Sequence, residues 1–323
     1  MAAAASVARE LPGRALRASL LWASGRRSLA RVATATPLTR GMVWRFVAGE
    51  TQEAGLEALA RLRDAGFHTT ADVLGEAVSS EAMATRAADS YIRLLDGLAQ
   101  RGLEGNVSVK LTQLGLDHGI QGCRVQLRRV IEAAARTSAF VRVDMEDHHR
   151  TDATLALVHE MHATHPDVGA VIQAYLRRSA DDVAALIAAG TRVRLCKGAY
   201  QEPASVAFPH KGDVDTNYER LAQTLLVDGT YPALATHDER LIERLLVFTR
   251  ERGIDPSRFE FQMLYGIRRD LQDRLRDGGY TVRVYVPFGT EWYPYFMRRL
   301  AERPANVLFI TRSLLSEGRR AKR

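Results

Sequence analysis

Arg298 and Arg299 are adjacent in the stretch YVPFGTEWYPYFMRRLAERPAN, which runs from Tyr285 to Asn306. On a helix, Tyr295, Arg298, Arg299 and Glu302 fall at i, i+3, i+4 and i+7 and share one face. Two guanidinium forks on one face are suited to gripping a small carboxylate. The sequence bounds such a helix: Thr290 can cap it, Pro294 is tolerated in its first turn, and Pro304 stops it. Tyr293, Met297, Leu300 and Ala301 lie on the opposite face, free to pack. The same spacing also describes the wet face of an ordinary amphipathic helix, so the pair has to be weighed with the rest of the chain.

Two other polar clusters offer chemistry. In HEMHATH, His159, His162 and His165 stand close together, but position 163 is Ala where HExxH needs its second histidine, so zincin geometry fails and a solvated helix face remains. In DMEDHH, Asp144, Glu146 and His148 have metal-ligand chemistry, and alternation sends the two carboxylates to one side if the strand continues. No second His/Cys set at ligand spacing supports a metal there. No Ser-His-Asp or Cys-His arrangement is readable; Cys196 lies within a strand and looks buried. Only four lysines occur, Lys110, Lys197, Lys211 and Lys322, among 45 basic residues. A lysine kept amid such arginine usage marks a place where a planar fork will not serve.

The elements that must position these residues alternate. Helices are predicted at 53–65, 81–100, 123–136, 152–163, 180–189, 216–228, 238–252 and 268–277. Between them run FHTTADVLG, NVSVKLTQL, FVRVDMEDHH, VGAVIQAY, RVRLCKGAY, ALATH, FEFQMLYG and VRVYVPFG. Eight strands, each followed by a helix, the last bearing Arg298, predict an α/β fold of the (βα)8 TIM-barrel type rather than a doubly wound sheet. A barrel of about 250 residues fits within the chain. No GxGxxG and no GxxxxGK[ST] occurs to favour a Rossmann or P-loop site. In a barrel, chemistry belongs at the carboxyl ends of the strands. Those ends hold Lys110, Asp144 and Met145, Gln173, Arg194 with Lys197 and Gly198, Thr236 and His237, Gln262 and Leu264, and Tyr285.

Charge divides the chain. Residues 1–49 carry eight arginines against Glu10, and the tail RRAKR adds four positive charges; removing both from the total of +7 leaves −4 for residues 50–318. A basic nucleic-acid-binding core is thereby disfavoured. Three regions are expected: a basic Ala/Arg-rich helical arm over 1–49, the catalytic barrel over 50–315 and a basic tail over 316–323. The arm's composition suits a mitochondrial transit peptide or the arm of a mature bacterial protein; RGMVWRFVAGE, leading straight into the next helix, favours the arm. Two cysteines at unrelated positions, Cys123 and Cys196, point to a reducing compartment. No apolar run approaches the roughly 18 residues of a membrane span. A cytoplasmic protein is expected, peripheral to the inner membrane where basic ends meet acidic lipid.

With these residues in place, SVKLTQLGLD, FVRVDMED, VIQAYLRR, RLCKGAYQEP, ATHD, FEFQMLYG and YPYFMRRLAERPAN resemble, in order and spacing, the single-function bacterial proline dehydrogenases. The likeness covers roughly residues 40–315 and includes RFVAGET in the arm. It implies an FAD-containing barrel that oxidises L-proline to 1-pyrroline-5-carboxylate by hydride transfer from C5 to flavin N5. This is the first step of proline breakdown to glutamate, with electrons passed to a membrane quinone. By motif, the resemblance assigns the substrate carboxylate to Arg298, Arg299 and Lys110, and the proline pocket to Tyr285, Leu264, Tyr200, Tyr295 and Glu302. It assigns catalysis to Asp144 and to Arg194 beside the flavin, and further flavin contacts to Met145, Gln173, Cys196, Lys197, Gly198, Thr236 and His237; no metal is implied. Cys196 stands where the family often has Val, with little consequence if the contact is made by backbone.

The roles agree with residue chemistry. Glu302 can relieve the crowded cations by pairing with Arg298 or Arg299, and Asp144 is better placed to hold Arg194 or Lys110 than to act as a base. Tyr285 against the ring should crowd a hydroxyl, making 4-hydroxyproline a poor substrate. The chain offers no room for an aldehyde dehydrogenase domain, so a separate pyrroline-5-carboxylate dehydrogenase is the expected consumer of product. The nearest rival is another flavin barrel using a nicotinamide, like methylenetetrahydrofolate reductase; a rival of another class is a membrane-surface binder acting through the basic arm.

Overall fold

A computed structural model describes residues 37–75 and 78–302. Helix α1 (Pro37–Phe46) precedes α2 (Gln52–Asp64). Eight strands follow, β1 (His68–Val73), β2 (Asn106–Val109), β3 (Phe140–Val143), β4 (Val168–Gln173), β5 (Val193–Cys196), β6 (Ala233–Ala235), β7 (Glu260–Leu264) and β8 (Val282–Phe288). They are separated and followed by α3 (Glu81–Gln100), α4 (Ile120–Arg136), α5 (Thr151–His162), α6 (Ser179–Ala188), α7 (Lys211–Asp228), α8 (Glu239–Glu251), α9 (Arg269–Asp277) and α10 (Trp292–Glu302). The strands are all parallel and close in sequence order, β8 pairing with β1, so the sheet has no edge. The fold is the predicted (βα)8 barrel.

Strand alternation sorts the side chains into two sets. One set, including Ala71, Val107, Val109, Val141, Val143, Ile172, Leu195, Phe261 and Val284, joins the helices' apolar faces in the main core. The alternate set is Thr70 and Asp72, Ser108, Arg142, Arg194, Glu260 and Gln262, and Arg283, all buried yet polar. The lumen is therefore filled by hydrogen-bonded and charged groups, where branched aliphatics are the rule. Both faces of the strands are buried, and the face toward the lumen is the more polar.

Several helices are cut at legible signals. Thr51 caps α2 by accepting from Ala54 N, Ser80 caps α3 by accepting from Met83 N, and Asp238 caps α8 by accepting from Leu241 N. Some boundaries differ from expectation: α7 begins at Lys211 rather than 216 and α4 at Ile120 rather than 123, and two further differences bear on the site. NVSVKLTQL leaves the sheet after Val109, because Lys110 onward turns back on itself through Gln113 N→Lys110 O and Leu114 N→Leu111 O. The arm does not run straight into α2: between them Ala48 N donates to Pro287 O at 2.9 Å and Gly289 N to Gly49 O at 2.9 Å, tying the link to the end of β8. Gly55 on α2 faces Phe288 so closely that a Cβ there would sit 2.6 Å from the ring.

Helices α1 and α10 form a second, smaller core. Val43, Phe46 and Val47 pack with Leu74, Ile267, Trp292, Tyr293, Tyr295, Phe296, Met297 and Leu300. Trp44 meets Trp292 edge-on at 5.7 Å, and Trp292 Nε1 donates to Glu50 at 2.8 Å. Tyr293, Met297 and Leu300 are buried as expected, but so is Tyr295, predicted on the arginine face. The reason is α1, which gives α10 a second apolar neighbour and widens its buried stripe. Helix α10 begins at Trp292, so Thr290 precedes its first turn and Pro294 lies within it. Pro304, the tail and the first 36 residues lie outside the described residues.

Candidate active site

The carboxyl ends of β1, β2, β3, β5 and β8 bring one group of polar side chains together. Lys110 Nζ, one residue past β2, donates to Asp72 Oδ1 at 2.7 Å and lies 3.7 Å from Asp144 Oδ2 and 3.3 Å from the Tyr285 hydroxyl. Tyr285 donates to Asp144 Oδ2 at 2.8 Å. The other oxygen of Asp144 accepts from Arg194 Nη1 at 2.7 Å. Arg194 is held further by Ser108 Oγ, which accepts from Nη2 at 2.9 Å, and by Gln262, whose Oε1 accepts from Nε; its guanidinium lies over the Tyr285 ring at 5.2 Å. Strand register makes this assembly possible: Tyr285 pairs with Thr70 on one side and Leu264 on the other.

The electrostatics follow from this packing. Burial works to discharge Lys110, but Asp72 and Asp144 outweigh it and raise its pKa above the ordinary lysine value. Burial, then Asp144, pushes the Tyr285 phenol well above its usual range, so it stays a neutral donor. Burial pushes the Cys196 thiol up to about 12, which makes it inert near neutrality, and its Sγ reaches only Ile172 O at 3.6 Å. Both cysteines are free.

A second arc lies on β3 to β6. Met145 and Thr236 are buried. Gln173 Nε2 donates to Glu146 O at 2.7 Å. Thr236 Oγ1 accepts from Asp238 N at 3.1 Å, and His237 Nε2 accepts from Leu264 N at 2.9 Å, which fixes Nε2 as unprotonated and links the ends of β6 and β7. Gly198 has φ +108°, and a Cβ there would lie 2.2 Å from the Tyr175 ring, so only glycine fits. Lys197 is engaged elsewhere: its ammonium sits between Asp215 at 2.5 Å and Asp238 at 2.8 Å.

The cluster Asp144, Glu146 and His148 is dispersed by its partners. Glu146 accepts from Thr112 N at 3.0 Å and Thr112 Oγ1 at 2.7 Å, while His148 pairs through Nδ1 with Glu202. The strand ends at Val143, so alternation no longer governs these side chains. Among the described residues no group of three or more His, Cys, Asp or Glu could hold a metal ion. His159 is exposed, while His162 Nδ1 meets Val168 O at 2.9 Å and His165 Nδ1 meets Thr164 Oγ1 at 2.9 Å.

On α10, Arg298 is exposed and Arg299 half-buried with its guanidinium over the Tyr295 ring at 5.2 Å. The side chain of Glu302 lies outside the described residues. Tyr200, on the loop after β5, is 44% exposed. Its phenol is raised chiefly by desolvation and then by Glu146, while Lys110 and Arg298 are the cations near enough to oppose that rise. Sequence reasoning missed Asp72, Ser108 and Glu202. Asp72 is one polar residue among several in HTTADV and Glu202 ties the β5 loop to His148 and Tyr175, and neither is signalled by the sequence.

A closed (βα)8 barrel with an ion-paired polar group at the carboxyl ends of its strands defines an α/β-barrel enzyme. A family model described as proline dehydrogenase matches residues 55–312. The chain belongs to the proline dehydrogenase family and is an enzyme of that kind. It is 45% identical to the proline dehydrogenase of Deinococcus radiodurans over 289 residues, 86% of this chain and 93% of that one. It is 39% identical to proline dehydrogenase 1 of Bacillus subtilis over 302 residues, 94% of this chain and all of that one. A crystal structure of proline utilization A from Bdellovibrio bacteriovorus, inactivated by N-propargylglycine, superposes with a TM-score of 0.76 at 29% identity, covering 81% of this chain and 32% of that chain. The chain thus spans about a third of that solved relative.

Proposed function

We propose that the reaction removes a hydride from C5 and a proton from the neutral amine of L-proline, giving 1-pyrroline-5-carboxylate. FAD, when bound, supplies the acceptor for that hydride. The observation that carries the reading is the half-buried ammonium of Lys110, 3.3 Å from the Tyr285 hydroxyl and 3.7 Å from Asp144, with Lys110 and Arg298 both in electrostatic reach of Tyr200. Lys110, Arg298 and Arg299 together supply a point charge and two planar forks for one small carboxylate. Tyr285, Tyr295, Leu264 and Tyr200 orient the ring, and Asp144 holds Lys110 and Arg194 rather than acting as the base.

The donor set fits a flavin. Gln173, Thr236 and His237 offer neutral polar groups for the ring edge, and Met145, Cys196 and Gly198 stand beside them at the strand ends. Arg194, fixed at all three nitrogens, is the cation suited to negative charge gathering beside the reacting ring; Lys197 contributes a charge already shared with Asp215 and Asp238. We assign a membrane quinone as onward acceptor and a separate pyrroline-5-carboxylate dehydrogenase as consumer of product, on the strength of the family resemblance. Among the described residues no helix is long and apolar enough to cross a membrane.

Anaerobic mixing with L-proline should bleach the flavin band, while NADH leaves it unchanged. Reduction by NADH and not by proline would favour a nicotinamide-using flavin barrel instead. Because the Tyr285 ring is pinned by its hydrogen bond to Asp144, 4-hydroxyproline should show a kcat/KM well below that of proline. Comparable values would show that Tyr285 does not set the specificity.

A further inference from the structure

We infer that Glu260 is a positioning residue for Arg194, acting through the amide of Gln262. The evidence is a thread of hydrogen bonds down the barrel lumen. Glu260 and Gln262 are two residues apart on β7 and both buried, Glu260 at 1% exposure. Gln262 Oε1 accepts from Arg194 Nε, and Gln262 Nε2 donates to Glu260 Oε1. Arg283 Nε, 3.0 Å from each Glu260 oxygen, donates to that carboxylate. Arg283 in turn donates through Nη1 to Thr69 O at 2.8 Å and pairs with Glu104 at 2.8 Å, next to His68. The thread therefore anchors the arginine at the carboxyl end of the barrel to charges at its amino end.

The chemistry of the two neighbours leaves the amide one orientation. Arg194 Nε can only donate and an ionised Glu260 can only accept, so Gln262 must point its oxygen up and its nitrogen down. Were Glu260 neutral, a half-turn of the amide would cost nothing in shape yet would set an N–H against the Arg194 N–H. Arg194 would then lose its third acceptor while keeping Asp144 and Ser108, and its guanidinium would be free to pivot.

The inference rests on the proposed role of Arg194 beside the flavin. The test compares the FAD-loaded wild type with Gln262→Met, which leaves the Glu260–Arg283 pair whole, and with Glu260→Gln. Dithionite titration gives the flavin midpoint potential, and steady-state assays give kcat and KM for proline. Both variants should lower the potential and reduce kcat by about tenfold, the effect of one hydrogen bond to a charged group, with KM changed far less. In an Arg194→Lys background, Gln262→Met should add almost nothing, since residues acting through one another are not additive. Wild-type potential and kcat in Gln262→Met, or losses that multiply fully with Arg194→Lys, would overturn the inference. Should Glu260→Gln fail to fold, wild-type potential and kcat in Gln262→Met still overturn the inference. If proline does not reduce the wild type, the substrate reading falls, while the dithionite titration still judges the positioning.

Discussion

Tyr285 and Asp72 show how much of the site depends on single atoms. The Tyr285 hydroxyl donates to Asp144 and stands 3.3 Å from Lys110 Nζ. Tyr285→Phe keeps the ring but leaves Asp144 with one donor fewer, so kcat/KM should fall by about tenfold with little change in flavin content. Asp72 supplies the shortest contact to Lys110, and with Asp144 it outweighs the effect of burial on that ammonium. The sign follows: a lysine whose pKa is raised stays charged far into alkali, and loss of Asp72 lowers that pKa toward the working range. In Asp72→Asn, binding of cyclopentanecarboxylate, which has no amine to titrate, should weaken as pH rises from 7 to 10, while wild-type binding stays level. Lys110 and Asp144 were legible because they stand at predicted strand ends. Asp72 was not, because its value depends on barrel closure bringing β1 between β8 and β2.

Among the elements, α1 was least understood from sequence. Its arginines suggested a solvated or membrane-facing arm, yet its apolar residues close the core that carries α10. Arg45 Nε also donates to Gly266 O at 3.2 Å, and a Cβ on Gly266 would collide with the Arg45 carbonyl. The arm thus braces the loop after β7 and the helix bearing the paired arginines. Phe46→Ala should cost about 3–5 kcal/mol of local stability, in the range for buried phenylalanine. Its functional sign should be a raised KM for proline, since α10 moves, with the barrel's own unfolding little affected. Hydrogen exchange on α10 amides would check it. Periodicity correctly gave the helix and its Arg298–Arg299 face but could not foresee a second packing partner for Tyr295.

At the scale of the whole molecule, eight βα repeats were readable because each strand carries an apolar alternate set and each helix an apolar stripe. The polar lumen was not, since Arg142, Glu260 and Arg283 look like surface residues until the sheet closes around them. Closure explains Gly169 as well: a Cβ there would lie 2.8 Å from Arg142 Nη1. At the amino end the thread emerges at His68, whose pKa is raised by its hydrogen bond to Glu104. A raised histidine stabilises the fold fully below its unfolded value of 6.5 and loses that contribution as pH climbs through the folded value. Burial works against ionised Glu104, but His68 and Arg283 outweigh it, so its contribution is lost only in acid. His68→Gln should therefore lower Tm more at pH 6 than at pH 8.5, by a small amount because both groups are half exposed.

The central claim is that the α10 arginines grip the carboxylate of proline at the mouth of a flavin barrel. Its most direct test is an anaerobic proline titration of Arg298→Met/Arg299→Met beside the wild type, with flavin content measured in the same samples. Flavin content at the wild-type level, with proline affinity reduced by about a hundredfold or more, is the predicted result. Proline affinity unchanged in the double variant would contradict the claim.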